Sequence, residues 1–183
     1  MVGGSSIGKS SITDWILHQF AADSPFIREQ NHLEDKEAPG PLDMGLVYRS
    51  TLGNATVDQY LTGLFNSSWA GVFDDVCVTN LKTSQEAYAS LNSAIIKILN
   101  IFPYRTEQAA LENKGKVFCN FQCVVFTSNV YDFFAYQSAN CPPAILRRAG
   151  YFIEPVVKPE FRINGSAQLD ANLVERYIQQ PVS

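Results

Sequence analysis

Between Gly3 and Ser11 the chain reads GGSSIGKSS. Residues 3–10 fit the spacing G-x-x-x-x-G-K-[ST], a loop built to hold phosphate. Its glycines let consecutive backbone N–H groups turn toward an anion. A lysine at this position reaches the outer phosphates, and the hydroxyl after it can ligate Mg²⁺. A helix that starts here aims the positive end of its dipole at the same anion. The candidate phosphate-binding set is Gly3, Gly4, Ser5, Ser6, Ile7, Gly8, Lys9, Ser10 and Ser11, with ATP the expected ligand.

Four later places carry compatible chemistry. Asp74 and Asp75 follow the apolar run WAGVF. A carboxylate at the C-terminal end of a buried strand lies where α/β sheets bind ligands. After a phosphate loop, one carboxylate can join Ser10 on Mg²⁺ and the next can polarise an attacking water. Asp74 is assigned to the metal and Asp75 to the water, with the roles exchangeable. In VVFTSN, Asn129 could set its amide beside the terminal phosphate and the water; otherwise Thr127 to Asn129 is simply a turn. Arg147 and Arg148 precede a strand-like run, and neighbouring helical side chains diverge by about 100°. One of the two could reach a neighbouring subunit's phosphate as an arginine finger while the other pairs locally. The plainer reading is a solvated basic pair. Lys114 and Lys116 straddle Gly115, a basic turn that suits a nucleic-acid backbone or, equally, a solvated hairpin tip.

The elements that must position these residues alternate in type. Residues 9–22 are helical in pattern, with Ile12, Trp15, Ile16, Gln19 and Phe20 on one face. Residues 23–45 are polar and proline-rich and read as a loop or insertion. Short strands are expected at 46–49, 69–73, 117–118, 124–127 and 151–157. A strong helix begins at Ser84, with Leu91, Ala94, Ile95, Ile98 and Leu99 on one face and Pro103 beyond its end. A short helix follows Pro142 and Pro143, and a terminal helix spans 167–179. The expected fold is α/β: a mostly parallel sheet flanked by helices. The 183 residues fit one core domain over 1–158, followed by a tail over 159–183. Only Val2 and Met1 precede Gly3, so the strand that should carry the loop is expected to be truncated.

Composition sets limits. Hydrophobic residues make up 46% and charged residues 17%, an ordinary globular balance. A net charge of −4 gives no global field for nucleic acid, so such binding needs a local basic patch. The apolar runs are too short to span a bilayer. Cys77, Cys119, Cys123 and Cys141 show no zinc spacing with His18 or His32, and read as reduced thiols, buried or half-buried.

Taken in order, GGSSIGKS, FDD, LENKGKVF, VVFTSN and AILRRAGYFIEPV resemble the superfamily 3 helicases of picorna-like RNA viruses, the 2C-like proteins. The resemblance covers about 3–157 and extends to DQYLTGLFNSSWAGVFDDV, with Tyr60 and Gly63 in familiar places. It implies an AAA+-related core, a hexameric ring, and Mg²⁺-dependent ATP hydrolysis at subunit interfaces. It further implies single-stranded RNA and other viral replication proteins as partners, in the host cytoplasm at replication complexes, with membrane contact only through regions outside this chain. Lys9 and Ser10 match its phosphate and Mg²⁺ positions, Asp74 and Asp75 its second motif, Asn129 its sensor and Arg147 and Arg148 its finger pair. Lys114 and Lys116 lie in its nucleic-acid region. Two departures stand out: Val78 replaces a common glutamine, and Ser6 replaces a third glycine. Two other readings of the residues stay open. One is a cellular AAA+ ATPase, of helicase-loader or transposition-helper type, that remodels a protein partner. The other is a nucleotide-dependent replication scaffold with little turnover.

Overall fold

The computed structural model describes residues 1–23, 46–51, 61–77 and 85–178. Of the loop expected over 23–45, Asp23 instead ends a helix and the rest lies outside the described residues, as do Tyr60, Val78 and Ser84.

Three strands form a parallel sheet in the order β1 (Val47–Thr51), β2 (Ala70–Val76) and β5 (Cys123–Ser128). Their register pairs Val47 with Ala70 and Ala70 with Cys123. Side chains alternate between the two faces, as the strand period of two requires. Val47, Ala70, Val72 and Val125 pack under helix α1 (Lys9–Asp23) with Leu17 and Ala21. Tyr48, Phe73 and Phe126 face the other way, into a core with Tyr88, Leu91, Ile95 and Ile98 of helix α2 (Gln85–Ile98). Phe73 stacks on Phe126 at 5.2 Å between ring centroids. Helices α3 (Ala135–Ser138) and α4 (Pro142–Leu146) complete that layer. With both faces covered, the strands can be apolar throughout, which is why they read as runs in the sequence. The fold is α/β as expected.

Beside β5 the chain's first residues take up the next position in the sheet. Val2 forms a parallel bridge with Ser128. The Ser128 N–H donates to Met1 O at 2.9 Å and the Gly3 N–H to Ser128 O at 3.2 Å. Val2 then donates to Ile153 O at 2.9 Å. The strand expected over 151–157 is therefore corrected. This segment forms no ladder: of residues 1–3 only the Val2 N–H donates to it, and Tyr151, Phe152 and Val156 stay exposed.

Two helices also differ from expectation. In α1 the buried row is Lys9, Thr13, Leu17 and Ala21, four residues apart, while Trp15 is 63% exposed. The lysine must enter the phosphate loop, so its own row turns inward and the apolar stripe is displaced to the flank. Thr13 buries its hydroxyl by donating to Lys9 O at 3.1 Å. The terminal helix α5 begins only at Ala171, where Asp170 Oδ1 accepts the N–H groups of Asn172 at 3.0 Å and Leu173 at 3.2 Å, an N-cap. A separate hairpin pairs β3 (Tyr104–Arg105) with β4 (Phe118–Cys119).

Candidate functional site

The phosphate-type loop leaves the sheet beside the C-terminal end of β5 and enters α1 at Lys9. Gly8 takes φ of 86°, a backbone shape that a side chain strains. Ser6 takes φ of 58°, so it too is left-handed. Its carbonyl accepts the Leu169 N–H at 2.9 Å, which ties the C-terminal segment to the loop. Leu169 was expected inside the terminal helix and instead lies before it.

A cavity of about 470 Å³ is lined by Ser5, Ser6, Ile7, Gly8, Lys9, Ser10 and Ser11 together with Asp75 and Asn129. Residues distant in sequence are thus brought to one place. Gly3 and Gly4 do not line it; their carbonyls instead hold Lys9. The ammonium donates to Gly3 O at 2.9 Å, Gly4 O at 2.7 Å and Asn129 Oδ1 at 2.6 Å. Burial pushes its pKa below the usual lysine value, and the charges of Asp75 and Asp74 partly oppose that.

Asp74 lies on the flank of α1. The Ser10 hydroxyl donates to its carboxylate, at 3.1 Å to Oδ2 and 3.4 Å to Oδ1. Two hard oxygen donors from separate elements converge there, a set that fits Mg²⁺, which keeps waters and substrate oxygens in its remaining positions. A second cavity opens on this side, lined by Ser10, Thr13, Arg49, Ser50, Val72 and Asp74. Arg49 is held there by an ion pair to Asp14. The acidic pair does not follow its strand, as the sequence suggested. It lies within β2, which continues to Val76.

Neither arginine of the pair enters the cavity. Arg148 folds back and donates to Ala144 O, while Arg147 is exposed. Both lie in the turn just past the end of α4. Lys114 and Lys116 are exposed on a turn in which Gly115 takes φ of 75°. Asn66 clamps that turn, donating to Lys116 O at 3.0 Å and accepting the Phe118 N–H at 2.9 Å. The sequence reading missed Arg105, whose guanidinium lies 5.9 Å from the Phe118 ring. The signal was a cross-strand pair, which needs the hairpin register to be seen. Cys77 and Cys119 are buried and Cys123 is half-buried, but Cys141 is exposed, against the expectation.

A parallel sheet, a phosphate loop running into a helix, and Asp74 and Asp75 set against Ser10 and Lys9 define the class as a P-loop NTPase. The family model described as RNA helicase matches residues 1–130. That is well over half of the chain, which therefore belongs to the RNA helicase family. Membership brings nucleotide and nucleic acid as partners of an NTP-driven enzyme. The match ends just past Asn129, and the arginine pair lies beyond it. No curated protein matches the chain.

Proposed function

We propose that the chain is the ATPase core of a helicase or RNA-remodelling motor that serves replication in a picorna-like positive-strand RNA virus. The observation that carries this reading is the convergence of Lys9, Asp75 and Asn129 on one cavity at the N-terminus of α1. Backbone N–H groups of residues 4–11 and the Lys9 ammonium bind the phosphates of ATP. Ser10 and Asp74 would hold Mg²⁺, which when bound neutralises charge on the phosphate oxygens. Asp75 orients the attacking water, and Asn129 fixes the terminal phosphate against it. Arg147 or Arg148 serves the site of a neighbouring subunit in a ring, since neither reaches its own. The Lys114–Lys116 turn, with Arg105 and Phe118 beside it, contacts single-stranded RNA by charge and stacking. The domain division at 158, action in the host cytoplasm at replication complexes, a hexameric assembly and viral replication partners belong to the same reading.

The test is ATP turnover by the purified chain against its Lys9→Ala variant. Loss of the phosphate-binding cation is expected to lower turnover by about 10²-fold or more. Turnover that survives the substitution unchanged would overturn the proposal.

A further inference from the structure

The acidic pair sits on an irregularity of the sheet. Phe73 pairs with Phe126 and Val76 with Ser128, so Asp74 and Asp75 together face the single residue Thr127. Two residues against one make a β-bulge. Asp75 takes φ of 52°, in the left-handed region, and this turns its side chain into the cavity with Lys9 and Asn129.

The bulge deprives the Asp75 N–H of a ladder carbonyl. The Thr127 hydroxyl accepts it at 2.9 Å. The same hydroxyl donates to Asp74 Oδ1. An N–H can only donate, so the single hydroxyl proton of Thr127 is committed to Asp74. Thr127 is fully buried, so its hydroxyl has no solvent to turn to in place of these two partners. Ser10 reaches the same carboxylate from α1. One buried oxygen therefore fixes the backbone of one aspartate and the side chain of the other.

We propose that Thr127 is a positioning residue of the nucleotide site. Its hydroxyl pins the bulge, holding the Asp74 carboxylate beside Ser10 for the divalent cation and turning Asp75 toward Lys9. This assignment rests on the ATPase reading above. Thr127→Val keeps the shape of the side chain and removes both bonds, and Thr127→Ser keeps the oxygen.

The experiment measures binding of a fluorescent ATP analogue to the whole chain, once in EDTA and once across a Mg²⁺ titration, with ATP turnover alongside. In EDTA the phosphate loop and Lys9 act alone, and Thr127→Val is expected to bind like the wild type. The Mg²⁺ concentration that gives half of the enhancement should rise about tenfold in Thr127→Val, as is usual when a partner of a metal-ligating carboxylate is lost. Thr127→Ser should restore it. If Thr127→Val fails to fold, Thr127→Ala takes its place against the serine variant. An unchanged Mg²⁺ midpoint overturns the assignment. So does an equal loss in EDTA and Mg²⁺ that serine does not repair, since that is the mark of a merely structural role. A wild-type chain that binds nothing in either arm overturns the ATPase reading as well, and so is told apart from failure of this assignment alone.

Discussion

Lys9 is held in a conformation that a nucleotide must undo. Its ammonium donates to Gly3 O, Gly4 O and Asn129 Oδ1, at 2.9, 2.7 and 2.6 Å. Phosphate oxygens need the same three protons, so each existing bond opposes binding by whatever it contributes to the free chain. Asn129→Ala removes one competitor. A hydrogen bond to a charged group nets about 1.5–3 kcal/mol, but Asn129 is exposed and water will replace part of it, leaving about 1 kcal/mol. That corresponds to about fivefold in affinity. ADP is the ligand of choice, because it lacks the terminal phosphate that Asn129 is proposed to touch and isolates the competition. Calorimetric titration should therefore show Asn129→Ala binding ADP about fivefold more tightly than the wild type. ATP turnover should fall by about 10²-fold in the same variant, since a group aimed at the reacting phosphate is gone. Unchanged or weaker ADP binding would refute the idea that Asn129 holds Lys9 back.

Two further outcomes concern stability. Ser6 sits at φ of 58°, where a side chain costs about 1–2 kcal/mol. Glycine gives back about 0.4–1 kcal/mol through the freedom of the unfolded chain, so Ser6→Gly should gain about 0.5 kcal/mol net, read as a higher urea midpoint. A loss of stability would show that the serine hydroxyl matters more than the backbone shape. Burial pushes the thiols of Cys77 and Cys119 up to about 12 and that of Cys123 to about 11, with the Asp132 charge adding to the rise at Cys77. Unfolded cysteine ionises near 8.5, so above about pH 8.5 the unfolded chain binds fewer protons than the folded one, and stability falls as pH rises. The urea midpoint should be lower at pH 10 than at pH 8, and a flat profile would contradict the burial of these thiols.

The phosphate loop was legible because its chemistry depends on spacing within eight residues, which a sequence displays directly. The three strands of the parallel sheet were legible because a sheet covered on both faces demands apolar runs, although a similar run over 151–157 forms no strand. The face of α1 was not. An apolar pattern places Ile12, Trp15, Ile16 and Phe20 inward, whereas the site needs the Lys9 row inward, and Thr13 accepts burial because its hydroxyl has a backbone partner. The left-handed Ser6 was hidden for a related reason: residue type bounds φ but does not fix it, and the tie from Leu169 comes from 163 positions away. Arg105 was missed because its importance lies in what stands across the hairpin from it.

The acidic pair shows most clearly what local pattern cannot carry. On a regular strand successive side chains point to opposite faces. Asp74 and Asp75 in an unbroken β2 would therefore send one carboxylate toward the α1 layer and the other toward the aromatic layer of Phe73 and Phe126. Asp74 keeps the α1 side, where Ser10 meets it, but Asp75 would lie against the aromatic layer, where its charge could not be buried without a large cost. Two adjacent acids can serve one site only if the pleat is broken between them. The break is made by Thr127, 53 residues after Asp74, through a hydroxyl that takes the stranded N–H and hands its own proton to the neighbouring carboxylate. The motif FDD is thus half of a unit whose other half is the threonine of VVFTSN, and the two meet only because β2 and β5 are neighbours in the sheet.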